Sequence, residues 1–402
     1  MHTYKNLLVN PGPKSVVGWG ALDQLIPAIL ERKAVRVLTL VDPVIVQLPI
    51  LQLLFSEMKE QGINYELYTK ITPEPSLETG QDLVDFAREG YFDLVLGIGG
   101  GSALDLAKLA SLFLTNAGHV ADYLNISGTQ RPEHPGAYKI LVPTTAGTAS
   151  EVTDVLVLAL EHTKDVISHP YLQADLAIVD PSLTMTVPPK VTAATGADAL
   201  THAIEAYLSV NSNPYTEALA LEAIRLMVPA LPKAVKDGGN RDARMAMAYG
   251  SYTAGISFFN AGVGAVHALA YPLGGEFHIP HGDSNAVMLP YVLDYIRHEC
   301  EHKLNNILRI INGQTPLNNP ATSEQEKAEQ EAGAIACVNF FRELNREIGI
   351  PQSLSDFGIQ EEHLTMLAEQ GIQQQRLLAR CPLTLSQDDI FQIYLAAYHG
   401  GK

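Results

Sequence analysis

Hydrophobic positions in the first half of the chain form short runs separated by longer segments with helical spacing. The runs predict strands at Ala34–Val41, Asn64–Ile71, Phe92–Ile98, Tyr138–Val142 and Ala177–Val179. The segments between them predict helices at Leu51–Gly62, Ser76–Glu89 and Ser102–Thr115. Strands that alternate with helices are typical of a parallel sheet covered by helices on both faces. The pattern therefore predicts an α/β fold with a Rossmann-like sheet.

The pattern changes about halfway along the chain. Two short runs, Val155–Leu160 and Val166–Ser168, flank a polar stretch and predict a hairpin. After Pro188-Pro189 long Ala- and Leu-rich segments follow with almost no alternation typical of strands, beginning with a helix over Thr192–Leu208. The sequence thus predicts an α/β domain over residues 1–188 and an all-helical domain over residues 189–402.

Composition narrows the possible functions. Hydrophobic residues make up 47% of the 402 positions and charged residues 18%, which excludes a disordered chain. The formal net charge of -17 argues against binding to nucleic acid or to an anionic membrane. The three cysteines form no CxxC pair, and no secretory signal or long apolar span is apparent. We therefore expect a soluble, cytoplasmic protein with no membrane or nucleic-acid partner.

A glycine-rich turn follows the third predicted strand and opens the next helix. It reads Gly97-Ile98-Gly99-Gly100-Gly101-Ser102. Glycines let a ligand approach the backbone, and the free N–H groups of a helix start suit a phosphate. Ser102 stands where the last glycine of a GxGxxG fingerprint would be, so the sequence departs from the standard dinucleotide motif. A tight strand-to-helix turn without a ligand remains the alternative.

A second polar turn follows the fourth predicted strand. Thr144, Thr145, Thr148 and Ser150 supply hydroxyls that could bind a phosphate, a ribose or a carboxamide, or could bond only to their own backbone. The carboxyl edge of the sheet, where both turns lie, is where open α/β sheets bind ligands. Asp42 lies at the end of the first predicted strand. Its carboxylate could accept hydrogen bonds from a ribose diol and repel a 2′-phosphate, or could simply cap a turn.

Histidines and one carboxylate in the second half suggest a metal site. Asp198 and His202 are four positions apart on a predicted helix and share a face, and His267 and His281 follow later. One carboxylate and three imidazoles suit Fe²⁺ or Zn²⁺ better than Ca²⁺ or Mg²⁺. The structural alternative is a set of core histidines and a helix-surface pair, since spacing alone does not bring residue 198 near residue 281.

At these residues the sequence resembles the iron-containing, or group III, alcohol dehydrogenase family. The matching segments are GIGGGSALDLAK (97–108), TTAGTASEVT (144–153), AIVDPSLTMTVPP (177–189), ATGADALTHAIEAY (194–207) and GVGAVHALAYPLGGEFHIPHG (262–282). The resemblance covers essentially the whole chain. It implies the dehydroquinate synthase-like fold of group III alcohol dehydrogenases, with a metal, a nicotinamide cofactor and a small alcohol or aldehyde as substrate. It also implies a homodimer.

The resemblance assigns roles residue by residue. It implies that Asp198, His202, His267 and His281 bind the metal, Fe²⁺ or alternatively Zn²⁺. Its implied cofactor contacts are Asp42, Gly99, Gly100, Ser102, Thr144, Thr145, Thr148, Lys164 and Leu183, with Asp42 going with NAD rather than NADP.

Tyr271 departs from the family pattern, because many members have a second histidine there that is linked to proton relay. Tyr271, His278 or a water chain through the ribose hydroxyls could then carry the proton. Phe258 and Phe259 are candidate pocket walls, with a place in the helix core as the alternative.

Other functions remain open at this stage. A dehydroquinate-synthase-type lyase would use bound NAD and a metal in a similar fold, but its anionic substrate needs more Lys and Arg than these motifs contain. A metal-dependent hydrolase or a non-catalytic nucleotide-binding protein would also fit some of the motifs.

Overall fold

A parallel sheet forms the first half of the computed structural model, which describes residues 8–161 and 164–400. The described strands are β1 Ser15–Val17, β2 Val37–Val41, β3 Tyr65–Tyr68, β4 Leu94–Gly99, β5 Tyr138–Pro143, β6 Val155–Ala159, β7 Lys164–Ser168 and β8 Leu176–Val179. All pairs in the main sheet are parallel, and its order is β1-β8-β5-β4-β2-β3. β6 and β7 pair antiparallel, which confirms the predicted hairpin.

Helices cover both faces of this sheet. They are α1 Leu25–Arg32, α2 Pro49–Glu60, α3 Leu77–Gly90 and α4 Gly101–Phe113. Along β4, Leu94, Leu96 and Ile98 pack in one buried cluster with α1 and α2, whereas Val95 packs in another with α3 and α4. Alternate side chains of a strand face opposite sides, and here both sides are buried. This is why the strands read as continuous hydrophobic runs.

The second half is helical. Its helices are α5 Pro189–Leu208, α6 Pro214–Lys236, α7 Arg241–Ala261, α8 Ala265–Phe277, α9 His281–Ile296, α10 Glu301–Ile311, α11 Glu324–Glu347, α12 Leu364–Gly371, α13 Gln375–Leu378 and α14 Gln387–His399. They share one hydrophobic core, and residues 189–400 contain no strand. The predicted fold class is thus confirmed, whereas the division into two domains at residue 188 stays a prediction.

One helix pair in the second half is unusually apolar. Within residues 8–161 and 164–400 no single helix has the length and hydropathy needed to cross a membrane, although α7 and α8 meet that test jointly, across a bend of 104°.

The sheet differs from the sequence pattern at several points, among them β3, which covers only Tyr65–Tyr68 of the predicted Asn64–Ile71. The pattern does not predict β1, because three residues are too few for an alternation to be recognised. The strand predicted from Ala34 begins only at Val37. The amides of Val35 and Arg36 donate to the side chain of Asp93 over 2.7 and 2.9 Å, so they are not available to a neighbouring strand.

Candidate functional site

The carboxyl ends of β2, β4 and β5 bring three predicted cofactor contacts together. Gly99 pairs with Pro143 in the register of β4 and β5, and the Thr144 amide donates to the Gly99 carbonyl over 2.9 Å. On the other side of β4, the Asp42 amide donates to the Ile98 carbonyl over 3.3 Å. Asp42, Gly99 and Thr144 therefore lie side by side at the edge where open α/β sheets bind ligands.

The glycine turn packs closely against the hydroxyl-rich turn. A Cβ atom on Gly101 would lie 2.8 Å from the Thr148 Oγ1, and one on Gly100 would lie 3.7 Å from the Thr145 Oγ1. Gly100 is the N-cap of α4, and no side chain caps its free N–H groups. Gly101 and Ser102 line the large cavity described below. The helix start therefore offers uncapped N–H groups and nearby hydroxyls, which suits a phosphate.

Two of the predicted cofactor contacts already bond to the backbone. The Ser102 Oγ accepts from the Glu74 amide over 3.2 Å. The Asp42 Oδ1 accepts from the Val44 amide over 2.9 Å, which is the turn-capping role that the sequence left open. A carboxylate has about four lone-pair sites, so Asp42 can cap this turn and still accept from a ligand.

Lys164 and Leu183 lie in different surroundings. The Lys164 Nζ is 2.8 Å from the Glu74 Oε1, and both residues line the cavity. Leu183 follows β8 in a 3₁₀ turn and is only 2% exposed, because it packs in the core cluster that also contains Val41 and Ile98. Its position supports the sheet edge, and its predicted contact with a cofactor stays a prediction.

Three helices bring the predicted metal ligands to one point. Asp198 and His202 lie on α5, His267 lies on α8, and His281 is the first residue of α9. The ligand atoms of Asp198, His267 and His281 all lie within 4.8 Å of one another.

His202 lies beside this group. Its Nδ1 is 3.9 Å from the Asp198 Oδ2, and its ring stacks on the His267 ring with 4.5 Å between centroids. The four residues span 84 sequence positions, from 198 to 281, and meet in space.

Buried polar atoms without partners test whether this cluster suits a cation. Among the described residues, the His202 Nδ1 and the His267 Nε2 are buried and accept or donate no hydrogen bond. A buried polar atom without a partner costs about 1–3 kcal/mol, so such atoms need an explanation. A metal site would explain them, because imidazole nitrogens beside a carboxylate form a donor set that fits Fe²⁺ or Zn²⁺.

The charges of Asp198, His202 and His281 agree with this fit. Burial alone would raise the pKa of Asp198, but His202 and His281 hold that pKa well below its usual range. Burial lowers the pKa of His202 to about 4 and the pKa of His281 to about 3. At neutral pH these two imidazoles are neutral and Asp198 is ionised, which is the protonation state that a metal ligand needs.

Glu205 and Asn285 form hydrogen bonds with two of the candidate metal ligands, His267 and Asp198. The Glu205 Oε2 is 2.5 Å from the His267 Nδ1, and its Oε1 accepts from the Val266 amide over 2.6 Å. Burial would lower the pKa of His267, yet Asp198 and Glu205 raise it to about 9. Without a metal this imidazole is therefore protonated at neutral pH, and a bound cation would have to displace one proton from it. The Asn285 Nδ2 donates to the Asp198 Oδ1 over 2.7 Å.

The sequence analysis did not identify Glu205 or Asn285 as part of the site. Glu205 follows Asp198 and His202 at spacings of seven and three, so the shared helix face was the signal that could have found it.

A cavity of about 330 Å³ connects the metal cluster with the glycine turn. His202, His267 and His281 line it, as do Gly101, Ser102 and Thr148. Apolar side chains line the same space; they include Phe258, Phe259, Val263, Tyr271 and Leu377.

The two candidate proton carriers lie in different places. Tyr271 lines the cavity, with its ring centroid 6.0 Å from that of His281. Burial raises the pKa of its phenol. His278 is exposed at the end of α8, in the left-handed conformation with φ of 54°, and does not line the cavity. The geometry therefore gives no support to a proton-carrying role for His278.

A buried charged network adjoins the cavity, and sequence reasoning missed it. Lys108 on α4 is fully buried, and its Nζ donates to the Thr153 Oγ1 over 3.1 Å and to the Val155 carbonyl over 2.8 Å. Asp105 lies 3.5 Å from the same Nζ. Glu151 is 3% exposed, and burial raises its pKa to about 7.

Comparisons with known proteins agree along both halves of the chain. The sequence profile described as "Iron-containing alcohol dehydrogenase" matches residues 12–181. The profile described as "Fe-containing alcohol dehydrogenase family, C-terminal" matches residues 192–398. The chain is 52% identical over 388 residues to long-chain-alcohol dehydrogenase 1 of Geobacillus thermodenitrificans (strain NG80-2), with 96% of each protein covered.

Solved structures show the same fold. A crystal structure of 1,3-propanediol oxidoreductase matches with a TM-score of 0.88 and 31% identity, over 99% of this chain and 100% of the other. The sulfoacetaldehyde reductase from Bifidobacterium kashiwanohense, solved in complex with NAD⁺, matches with a TM-score of 0.86 and 26% identity, over 98% and 99% of the two chains.

Proposed function

Since the chain belongs to the iron-containing alcohol dehydrogenase family, we propose that it interconverts a small alcohol and its aldehyde with NAD and a divalent metal. The family membership confirms the resemblance drawn from the motifs, and nothing among these relatives favours the dehydroquinate-synthase-type lyase. The observation that carries the proposal is the arrangement of one cavity. Its walls include the imidazoles of the candidate metal ligands and the uncapped start of α4.

Asp198, His202, His267 and His281 would hold the metal. Three of them already have their ligand atoms within 4.8 Å, and the unpartnered His202 Nδ1 faces the same carboxylate. A metal held there would supply a Lewis acid for the substrate oxygen, and a bound nicotinamide would supply the hydride chemistry. The family favours Fe²⁺ at this site, although three nitrogens and one oxygen are also suitable ligands for Zn²⁺.

Apolar side chains keep water away from the reacting groups. The Phe258 ring stacks on the His202 ring with 4.3 Å between centroids, and it lines the cavity with Val263 and Leu377. A drier cavity strengthens the electrostatic effect of every charged group in it. Because burial raises the pKa of the Tyr271 phenol, Tyr271 stays protonated at neutral pH. Its role is then to shape the pocket and to donate a hydrogen bond.

The preference for NAD rests on Asp42. Its Cβ is 3.3 Å from the position that a Cβ atom on Gly99 would occupy, so the carboxylate lies next to the glycine turn. A carboxylate there accepts from the ribose hydroxyls and repels the 2′-phosphate of NADP. The NAD⁺ complex of the sulfoacetaldehyde reductase named above supports this cofactor for a protein of the same fold.

We also propose that the protein is cytoplasmic and forms a homodimer. Cys300, Cys337 and Cys381 are free and buried, which fits a reducing compartment. A twofold dimer is the commonest assembly of soluble proteins, and its test is the mass measured by light scattering during size-exclusion chromatography.

The proposal is tested by the absorbance of NADH. Protein stripped with a chelator and reloaded with Fe²⁺ or Zn²⁺ should reduce NAD⁺ in the presence of C2–C4 alcohols, and NADP⁺ should be the poorer cofactor. Failure of both cofactors with every alcohol and metal, in a protein shown to bind the metal, would refute the dehydrogenase assignment.

A further inference from the structure

Two arginines line the cavity, and the reaction as described above does not use them. Arg376 lies on the short helix α13, and Arg380 follows shortly after that helix. Both line the cavity together with Phe258, Val263 and Tyr271. The residues on which sequence reasoning relied for this site gave no sign of a cationic wall.

The backbone holds Arg380 in this place. A Cβ atom on Gly262 would lie 2.1 Å from both the Cδ and the Nε of Arg380. The Arg380 side chain therefore occupies space that is free only because residue 262 is glycine. Gly262 also has φ of 79°, a conformation that other residues rarely adopt. The Arg380 guanidinium donates to the Arg376 carbonyl, which fixes the two residues relative to each other.

Arg376 is exposed, and it lines the same cavity as Tyr271 and the candidate metal ligands His202, His267 and His281. Its charge acts on the Tyr271 phenol, opposing the larger effect of burial on that pKa. The Tyr271 ring is also next to His281, with 6.0 Å between centroids. Tyr271 is therefore near both Arg376 and the imidazole cluster, and all of these residues line one cavity that a substrate could occupy.

The cavity contains no obvious counter-charge for these arginines. No ion pair joins Arg376 or Arg380 to a carboxylate in the part of the chain that the structure describes. Burial, together with the neighbouring charge of Arg376, lowers the pKa of Arg380. Two like charges held side by side, one of them partly desolvated, would be stabilised by an anion between them.

The acidic residues of the cavity are already compensated. Glu74 forms its ion pair with Lys164, at 2.8 Å. Asp105 accepts from the Ser150 hydroxyl over 2.5 Å and lies 3.5 Å from the Lys108 ammonium. Burial raises the pKa of Asp154, and the nearby positive charge of Lys108 opposes that effect. An incoming anion therefore meets two unmatched cations rather than a negative wall.

We propose that Arg376 and Arg380 form a subsite for an anionic end of the substrate. The substrate class is then a short aldehyde or alcohol that carries a carboxylate or sulfonate at the end away from the reacting oxygen. This inference rests on the proposed dehydrogenase function and names its substrate class. Guanidinium groups suit such oxyanions because their donors form paired, charge-assisted hydrogen bonds.

The test compares two aldehydes of equal chain length, 4-oxobutanoate and butanal. They differ by one carboxylate, so the ratio of their kcat/KM values isolates the subsite from the hydride-transfer step. With NADH and the metal-loaded wild-type protein, we expect kcat/KM to favour 4-oxobutanoate by about 10-fold or more, which corresponds to roughly one charge-assisted hydrogen bond. Added salt should reduce the ratio.

Variants test whether Arg376 and Arg380 cause the preference for 4-oxobutanoate. In the double variant Arg376→Met/Arg380→Met the preference should be lost, so the ratio should fall by about 10-fold, to near 1. Arg346→Met is the matched control, because Arg346 is exposed on α11, pairs with Glu343 and does not line the cavity. That control should keep the wild-type ratio, and circular dichroism should show that all variants are folded.

The outcomes separate this inference from the proposed function. Wild-type protein that reduces butanal as well as 4-oxobutanoate overturns the anion subsite and leaves the dehydrogenase assignment intact, whether or not the double variant folds. A wild-type preference that survives in the folded double variant overturns the assignment to these arginines. Reduction of neither aldehyde by metal-loaded protein counts against the dehydrogenase function itself.

Discussion

Replacing Glu205 with glutamine should weaken metal binding without unfolding the protein. The Glu205 carboxylate accepts from three groups. Its Oε1 accepts from the Val266 amide over 2.6 Å, and its Oε2 accepts from the His267 Nδ1 over 2.5 Å and from the His267 amide over 3.4 Å. A glutamine has one oxygen and one NH₂ group. If its oxygen accepts from Val266, its NH₂ group faces the donors of His267, and the reverse placement leaves the NH₂ group facing the Val266 amide. Glu205→Gln therefore breaks one bond and removes the charge that orients the His267 ring.

The magnitude follows from the bond that is lost. Hydrogen bonds to a charged group contribute about 1.5–3 kcal/mol, and 1.4 kcal/mol is a factor of ten in affinity. We therefore expect metal affinity to fall by about 10–100-fold, the range typical of residues that orient a metal-binding histidine. The ring of His267 stays in place through its stacking on His202, so the affinity should not be abolished.

The assay is competition for Fe²⁺ or Zn²⁺ against a chromophoric chelator, with circular dichroism as a check of the fold. Glu222→Gln is the matched control, because Glu222 lies on neighbouring α6, is half exposed and pairs only with Arg225 in the described structure. It should bind the metal as the wild type does. A folded Glu205→Gln protein with unchanged metal affinity would refute the positioning role of Glu205.

Three further changes test other parts of the account. Asp42→Gly should lower the NAD⁺ over NADP⁺ preference by on the order of 10-fold, because the repulsion of the 2′-phosphate is lost; a wild type that prefers NADP⁺ would contradict the role of Asp42. Tyr271→Phe should change substrate preference and leave the best turnover nearly intact, whereas a loss of about 100-fold in kcat would make the phenol a proton relay. Glu151→Gln should stabilise the protein more at pH 8 than at pH 5. Folding raises the pKa of Glu151 from 4.5 to about 7, so its burial becomes costly as the pH rises through that interval, by about 3 kcal/mol at most. Equal shifts in melting temperature at both pH values would contradict this.

The sequence predicted the sheet well because its strands are buried on both faces. Leu94, Val95 and Leu96 are all inaccessible, so the run reads as one hydrophobic block whichever way each side chain points. The three-residue strand β1 gave no such block. The boundary of β2 depended on the Asp93 side chain, which takes the amides before Val37, and no local pattern shows that contact.

The metal cluster was predictable only in part. Asp198 and His202 share a helix face, and the same face carries Glu205, so periodicity could have found all three. The meeting of α5 with His267 and His281 depends on how three helices pack, which residue types and spacing do not specify. The motifs of the family supplied that connection.

The cationic wall of the cavity could not be predicted in this way. Arg380 lies more than 100 positions after Gly262, and its place in the cavity depends on the absence of a Cβ atom at that glycine. Gly262 begins one of the family motifs, but Arg380 belongs to no pattern that indicates a binding site from sequence alone.

The central claim is that turnover requires a metal held by Asp198, His202, His267 and His281. The most direct test measures bound iron and NAD⁺-dependent alcohol oxidation together in His202→Ala. The matched control is His298→Ala, whose histidine is 61% exposed and lies outside the cavity. The account predicts that His202→Ala stays folded but loses bound iron and turnover together, while the control retains both. Full turnover in His202→Ala protein that contains no metal would contradict it.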